Sequence, residues 1–299
     1  MASVVVIIEG SVCAWGEMNE AHGDEAIPEI IRSLVAFTNA HLSMSAANGL
    51  LILGYGVDTS KQVIFDSRSS VKGNVVFDTS RAVIQGIREI LEHGLNVEDS
   101  TAHSSLAPAL AHGLCYLNTC TTLSEALPTN SIATTETKAS KDNRVLIVSM
   151  RDEIVTEHSQ LMNLFFTANK YGYCVDVVAL DNPSPLLQQA ADITGGLCLR
   201  VSKPDELLKA LMTHILCPTS LRTSFSSPPE GTVDYRAACI CHNRLVNQAW
   251  ICSVCLAIMC QFMPICKVCK AVFPLPPQKP KKRPSTAAGG LAKKKPMLK

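Results

Sequence analysis

The 299-residue sequence has no apolar run of the roughly 18 residues that a bilayer crossing needs, which excludes a membrane-spanning helix. Ahead of the apolar run Val4–Ile8 stands no basic residue, and the run is too short for a secretory signal. The chain is therefore expected to stay inside the cell. Neither a Gly-x-Gly-x-x-Gly loop nor a P-loop follows the first apolar run, which removes the common phosphate-binding readings. A Gly-x-Ser-x-Gly elbow is also missing. Seven of the eight histidines (His22, His41, His93, His103, His112, His158, His214) are scattered singly. Nothing assembles a nucleophile, a base and an oxyanion donor, so the chain reads as no enzyme. Charged residues make up only 18% and aromatics 5%. With 47% hydrophobic residues a core can form, which excludes wholesale disorder.

Net charge is also nearly missing, at +1, but this is a cancellation. Lys279, Lys281, Lys282, Arg283, Lys293, Lys294, Lys295 and Lys299 lie after Pro276 with no acidic residue among them. The remaining 19 basic and 26 acidic residues give the body a net charge of −7. A basic, Pro- and Gly-containing tail over 276–299 is expected to be disordered. Such a tail suits nuclear localisation, or a salt-dependent contact with nucleic acid.

Strand and helix patterns alternate through residue 216. Ser3–Ile8, Leu50–Leu53, Val145–Ser149, Cys174–Leu180 and Leu197–Val201 read as buried strands, and Gln62–Phe65 as an edge strand. Helical spacing marks Glu25–Leu42, Ser80–His93, Ser105–Leu117, Ser159–Tyr171, Ser184–Ile193 and Lys203–Leu216. Leu123–Asp142 reads as an exposed loop. About six strands and six helices predict a doubly wound α/β domain with a mostly parallel sheet over 1–216. Residues 217–232, with Pro218, Pro228 and Pro229, read as a linker to a Cys-rich module over 233–275.

Seven of the 13 cysteines fall between Cys239 and Cys269. An odd count in an intracellular chain favours thiols and metal over disulfides. Cys252-x-x-Cys255 and Cys266-x-x-Cys269 form two knuckles whose thiolates can surround one tetrahedral Zn²⁺. A closed Cys₄ site is structural and supplies folding energy to a segment too small to fold alone. An iron–sulfur cluster meets the ligand count, but the spacing is more typical of a zinc ribbon. Cys239, Cys241, His242 and Cys260 remain as either a second, cross-braced Cys₃His site or packing thiols. The adjacent Cys241 and His242 crowd a single ion.

The first strand delivers Glu9-Gly10-Ser11-Val12-Cys13 to the carboxyl edge of the sheet, where open α/β sheets bind ligands. A von Willebrand A-type domain carries Asp-x-Ser-x-Ser there and holds Mg²⁺ with it. Glu9 and Cys13 depart from that pattern, and a thiol is a poor ligand for a hard cation. The second strand end offers Met150-Arg151-Asp152-Glu153, with a cation where the family has a carboxylate. The metal motif therefore reads as lost.

Three stretches, Leu186–Leu197 (LLQQAADITGGL), Val233–His242 (VDYRAACICH) and Ile251–Leu256 (ICSVCL) with Cys260, Cys266 and Cys269, resemble the small zinc-bearing, von Willebrand A-like core subunits of transcription factor IIH (TFIIH). Phe37–Leu42 is similar too. The resemblance spans most of the chain and is densest from Gln160 to Cys269. It implies a nuclear, non-catalytic scaffold subunit acting in transcription initiation by RNA polymerase II and nucleotide excision repair. The implied partners are other core subunits, chiefly the RING-type A-domain subunit, with indirect association with DNA and no small-molecule substrate. It also implies Zn²⁺ at Cys252, Cys255, Cys266 and Cys269. Competing readings are a nucleic-acid-contacting zinc protein using the basic tail, a Mg²⁺-dependent A-domain ligand module and, weakest, a ubiquitin ligase.

Overall fold

A computed structural model describes residues 2–56, 63–68, 79–95, 105–126, 142–150, 157–225, 233–242, 245–255 and 257–274. Six strands form the main sheet: β1 (Ala2–Glu9), β2 (Gly49–Tyr55), β3 (Val63–Asp66), β4 (Asp142–Ser149), β5 (Cys174–Ala179) and β6 (Cys198–Arg200). Their order is β3-β2-β1-β4-β5-β6. All neighbours pair in parallel except β2 with β3, which is antiparallel at the edge. Chain order reverses between β1 and β4, so a switch-point crevice opens at their carboxyl ends.

The β-branched run of β1 explains its central place. Val4 through Ile7 have no exposed surface, and Ile8 has 2%. Alternate residues serve opposite cores. Val5 and Ile7 pack beneath α4 (Ala107–Ala126), α5 (His158–Tyr171) and α6 (Pro185–Thr194). Val4, Val6 and Ile8 pack beneath α1 (Val12–His22), α2 (Ala26–Met44), α3 (Thr79–Leu95) and α7 (Glu206–Ala210). The doubly wound α/β sheet expected from the alternation is present.

Three local expectations are corrected. The helix α1 went unpredicted. It buries only Ala14, Trp15 and Met18, so its polar residues and Gly16 leave no clear helical stripe. Helix α4 runs on to Ala126, past Leu123, where the loop was expected to begin; residues 127–141 lie outside those described. The last helix is not uniform: α7 ends at Ala210 and continues as a wide π turn over Leu211–Ile215.

Residues 217–225 are fastened to the domain. Arg144, fully buried within β4, donates to the carbonyls of Ile215 (2.6 Å) and Cys217 (2.7 Å). This satisfies acceptors that the helix end leaves unpaired. Thr219–Ser224 forms a 3₁₀ helix. From it, Arg222 grips the buried carboxylate of Asp176 with both nitrogens, at 2.6 and 2.5 Å. Asp176 Oδ1 also accepts the N–H of Leu197, tying β5 to the start of β6.

The Gly195-Gly196 pair has a steric reason. Gly195 ends α6 with φ +66, and a Cβ on Gly196 would fall 2.0 Å from the Val175 carbonyl oxygen. Only glycine allows β5 and the end of α6 to approach so closely.

Removing Arg222 would leave Asp176 as an unpaired buried charge. Arg222→Met is expected to destabilise the domain by about 3–5 kcal/mol, read from the urea midpoint. Arg222→Met combined with Asp176→Leu should recover part of that loss, the remainder reflecting the lost bond to Leu197.

Candidate metal centres

The C-terminal residues build their site from hairpins. Strand β9 (Trp250–Ile251) pairs antiparallel with β10 (Ile258–Met259), and the knuckle Cys252–Cys255 lies between them. The N–H of Cys252 donates to the Ala257 carbonyl at 3.0 Å. The second knuckle repeats the pattern: Cys266 N–H donates to the Ala271 carbonyl at 2.9 Å, within the bridge Ile265–Val272. Both loops therefore fold back at the same five-residue offset and aim two sulfurs to one side. Lys270 closes the second turn with φ +59.

The two knuckles face each other. Cys252 Sγ lies 3.6 Å from Cys269 Sγ, and Cys255 Sγ lies 3.6 Å from Cys266 Sγ. All four sulfurs are within 4.8 Å of one another. A tetrahedron with metal–sulfur bonds of about 2.3 Å has edges of about 3.8 Å. The four cysteines expected as ligands are thus brought together, and their spacing fits a cation at the centre. The Cys252 thiol is held down to about 6, first by the Cys255 backbone N–H. At Cys255 the Ala257 N–H pulls the same way, but burial and the other three thiols push it up to about 12. Four thiolates do not ionise side by side without a positive charge among them. Among the described residues the local core is small, comprising Cys252, Ala257, Met259 and Cys266 with Cys241, Cys255, Met263 and Phe273 packed against it.

A second group is present. Cys239 Sγ, His242 Nδ1 and Cys260 Sγ lie within 4.8 Å of one another. Cys241 stands just outside that triad and packs against the module core. Trp250, Phe262 and Phe273 line one shallow groove with Met259 and Met263. Trp250 and Phe262 meet edge to face at 5.2 Å.

At the sheet's carboxyl edge the degenerate metal motif has another use. Glu9 is 3% exposed, and its Oε2 accepts the N–H of Met150 at 2.8 Å. The Tyr55 hydroxyl hydrogen-bonds both Glu9 and Ser149; burial first, then the Glu9 charge, raises Tyr55 well above its ordinary value. Trp15 Nε1 donates to the Glu9 carbonyl at 2.7 Å. The carboxylate is thereby committed to the ends of β2 and β4. Ser11 caps α1 by position, and Cys13 is exposed. Asp152 and Glu153 lie outside the described residues. Tyr55 and the Met150 amide were not foreseen, since neither carries a motif.

The stretches LLQQAADITGGL and VDYRAAC touch each other. Gln189, nearly buried on α6, donates to the Asp234 carbonyl at 2.6 Å, and the Tyr235 hydroxyl bonds Asp192. The first residues of the Cys-rich segment are docked on the α/β domain through these contacts.

A family model described as transcription factor Tfb4 matches residues 1–270. The chain belongs to the Tfb4 family. Among Tfb4 relatives, the general transcription and DNA repair factor IIH subunit tfb4 of Schizosaccharomyces pombe is 26% identical over 290 residues, spanning 93% of this chain and 91% of its own length. The TFB4 subunit of Saccharomyces cerevisiae is 27% identical, over 90% of this chain and 85% of its own. The general transcription factor IIH subunit 3 of Dictyostelium discoideum is 27% identical, over 83% and 68%. In structure, the N-terminal domain of TFIIH p34 aligns with a TM-score of 0.58 at 23% identity, over 71% of this chain and 96% of that one. The Tfb4-family chain therefore carries a von Willebrand A-like α/β fold followed by a cysteine cluster able to hold a metal ion.

The bonds of Glu9 predict a structural role that Mg²⁺ does not share. Glu9→Ala should lower the melting temperature by several degrees, the loss being about 1–3 kcal/mol for unsatisfied buried partners. Adding Mg²⁺ should shift neither variant nor parent in thermal denaturation.

Proposed function

We propose that this chain is a non-catalytic scaffold subunit of the TFIIH core complex, acting through protein contacts in transcription initiation and nucleotide excision repair. The observation that carries this reading is the family match, which runs through both the A-like domain and the cysteine module. The relatives' names place them in a general transcription and DNA repair factor. The use of Glu9 supports it, because the carboxylate at the edge where A-type domains hold Mg²⁺ is hydrogen-bonded to the protein's own groups. In this reading the chain resides in the nucleus, its main partner is the RING-type A-domain subunit, and its association with DNA is indirect. The basic residues of 276–299 serve localisation.

The same reading divides the chain into an A-like domain over 1–216, a joining segment over 217–232, a metal module over 233–275 and the tail. Zn²⁺ is the ion assigned to Cys252, Cys255, Cys266 and Cys269. Four soft thiolates in a closed tetrahedral set suit Zn²⁺ and leave no open position for catalysis. Bound there, the ion would supply cross-linking, while the thiolates hold two hairpins that share very little apolar core. The module's outer surface displays Val254, Ile265, Val268 and Val272, each more than half exposed, as apolar area suited to a protein partner.

Tagged full-length chain purified from nuclear extract should bring down the RING-type A-domain subunit and a helicase. Recovery of neither overturns the scaffold reading. For the metal, Cys252→Ser and Cys269→Ser should each release zinc by atomic emission and expose the module to protease. Residues 1–216 should stay folded, judged by the cooperative thermal transition of the α/β domain. Full zinc occupancy in either variant removes the ligand assignment.

A further inference from the structure

We propose that Cys239, Cys241, His242 and Cys260 hold a second Zn²⁺, interleaved with the first. The backbone brings these residues together from two places. Strand β7 (Ala237–Ala238) pairs with β8 (Leu245–Val246), and the loop between them carries Cys239, Cys241 and His242. The N–H of Ile240 donates to the Ile258 carbonyl at 2.9 Å, which lays that loop against β10. Cys260 follows β10 directly, so it arrives beside the loop.

The distances are those of a coordination polyhedron. Cys239 Sγ lies 3.9 Å and Cys260 Sγ 3.3 Å from the same atom, His242 Nδ1. With Zn–S of about 2.3 Å and Zn–N of about 2.0–2.1 Å, a tetrahedral S···N edge is about 3.6 Å. Hydrogen bonding alone explains the arrangement poorly. Nδ1 has either one lone pair or one proton, and two sulfurs converge on it. A cation between the three atoms satisfies both contacts at once. Cys260 is the hub, since the thiols of Cys239 and Cys241 also interact with its sulfur. Cys241 stands just outside the triad, but its thiol interacts with that of Cys260, which makes it the nearest further ligand to complete the four. Three thiolates and an imidazole form a set that Zn²⁺ accepts.

The ligands alternate along the chain. Cys260 lies inside the ten-residue connection between Cys255 and Cys266, so each ion would clamp the other's loop. The first centre does not need the second for its ligands, and the two assignments stand or fall separately.

The test is the zinc content of the full chain, reconstituted with excess Zn²⁺ and desalted. Two ions per chain are expected, and one ion overturns the proposal. His242→Ala and Cys260→Ser should each retain one ion, still lost on adding Cys252→Ser; two ions retained in both single variants also overturn it. Because loss of metal can follow from misfolding, a gain-of-signature variant is included. His242→Cys should keep two ions, and its Co²⁺-loaded form should gain sulfur-to-metal charge-transfer intensity over the parent; unchanged intensity removes His242 as a ligand. Cys241→Ser should weaken one ion at least tenfold in chelator competition. Unchanged affinity there removes Cys241 as the fourth ligand. Loss of zinc only in Cys252→Ser would leave the first centre standing and the second refuted.

Discussion

A strand buried on both faces can present polar groups only at its ends. In this molecule the carboxyl end of β1 sets the rest of the A-like domain. Glu9 emerges there among nonpolar neighbours and must find partners at once. It takes the amide of Met150 beyond β4 and the hydroxyl of Tyr55 at the end of β2. Its own carbonyl receives Trp15 from α1. Three strands or helices are thus closed over the switch point by one residue. In an A-type domain that keeps Asp-x-Ser-x-Ser, the same edge holds Mg²⁺. In this molecule the Glu9 carboxylate is used in internal hydrogen bonds that join the ends of β2 and β4.

The cysteine module obeys the opposite constraint, too little interior rather than too much. Short hairpins of two-residue strands cannot bury enough surface to offset their own ordering. Metal-binding free energy is available to such a segment as folding free energy. Several large apolar side chains remain outside: Trp250, Ile251, Val254 and Val272 are each more than half exposed.

What could be read from the sequence follows from the range of each interaction. The buried strands were legible because continuous β-branched runs are local, and both knuckles because two-residue spacing is local. Glu9 was legible as a departure from a motif, but its partners were not, since Met150 lies 141 residues away. Helix α1 escaped because only three of its residues face the core. The anchoring of 217–225 escaped for the same reason as Glu9's partners. Arg222 and Asp176 are 46 residues apart, and the prolines nearby mark 217–232 only as a linker. Likewise the start of α4 is satisfied by Glu157, whose Oε2 accepts the N–H groups of Leu106 and Ala107 from about fifty residues along the chain. Pairings of this kind leave no periodic trace.

The two halves of the resemblance acquire a joint physical meaning from the structure. Gly196 lets α6 end tight against β5, which fixes the position of the last turns of that helix. Gln189 and Asp192 on α6 then receive Asp234 and Tyr235 at the entrance to the module. The chain continues through β7 into the loop that meets Cys260. A tight glycine turn in the α/β domain therefore sets the place from which the cysteine-bearing hairpins depart. The Tyr235 contact is weak alone, since Tyr235 is exposed and screened by water. The nearly buried Gln189 gives the junction its direction, because its bond to the Asp234 carbonyl fixes a backbone atom rather than a mobile side chain. The junction ties the first residues of the cysteine-rich segment to α6 of the α/β domain.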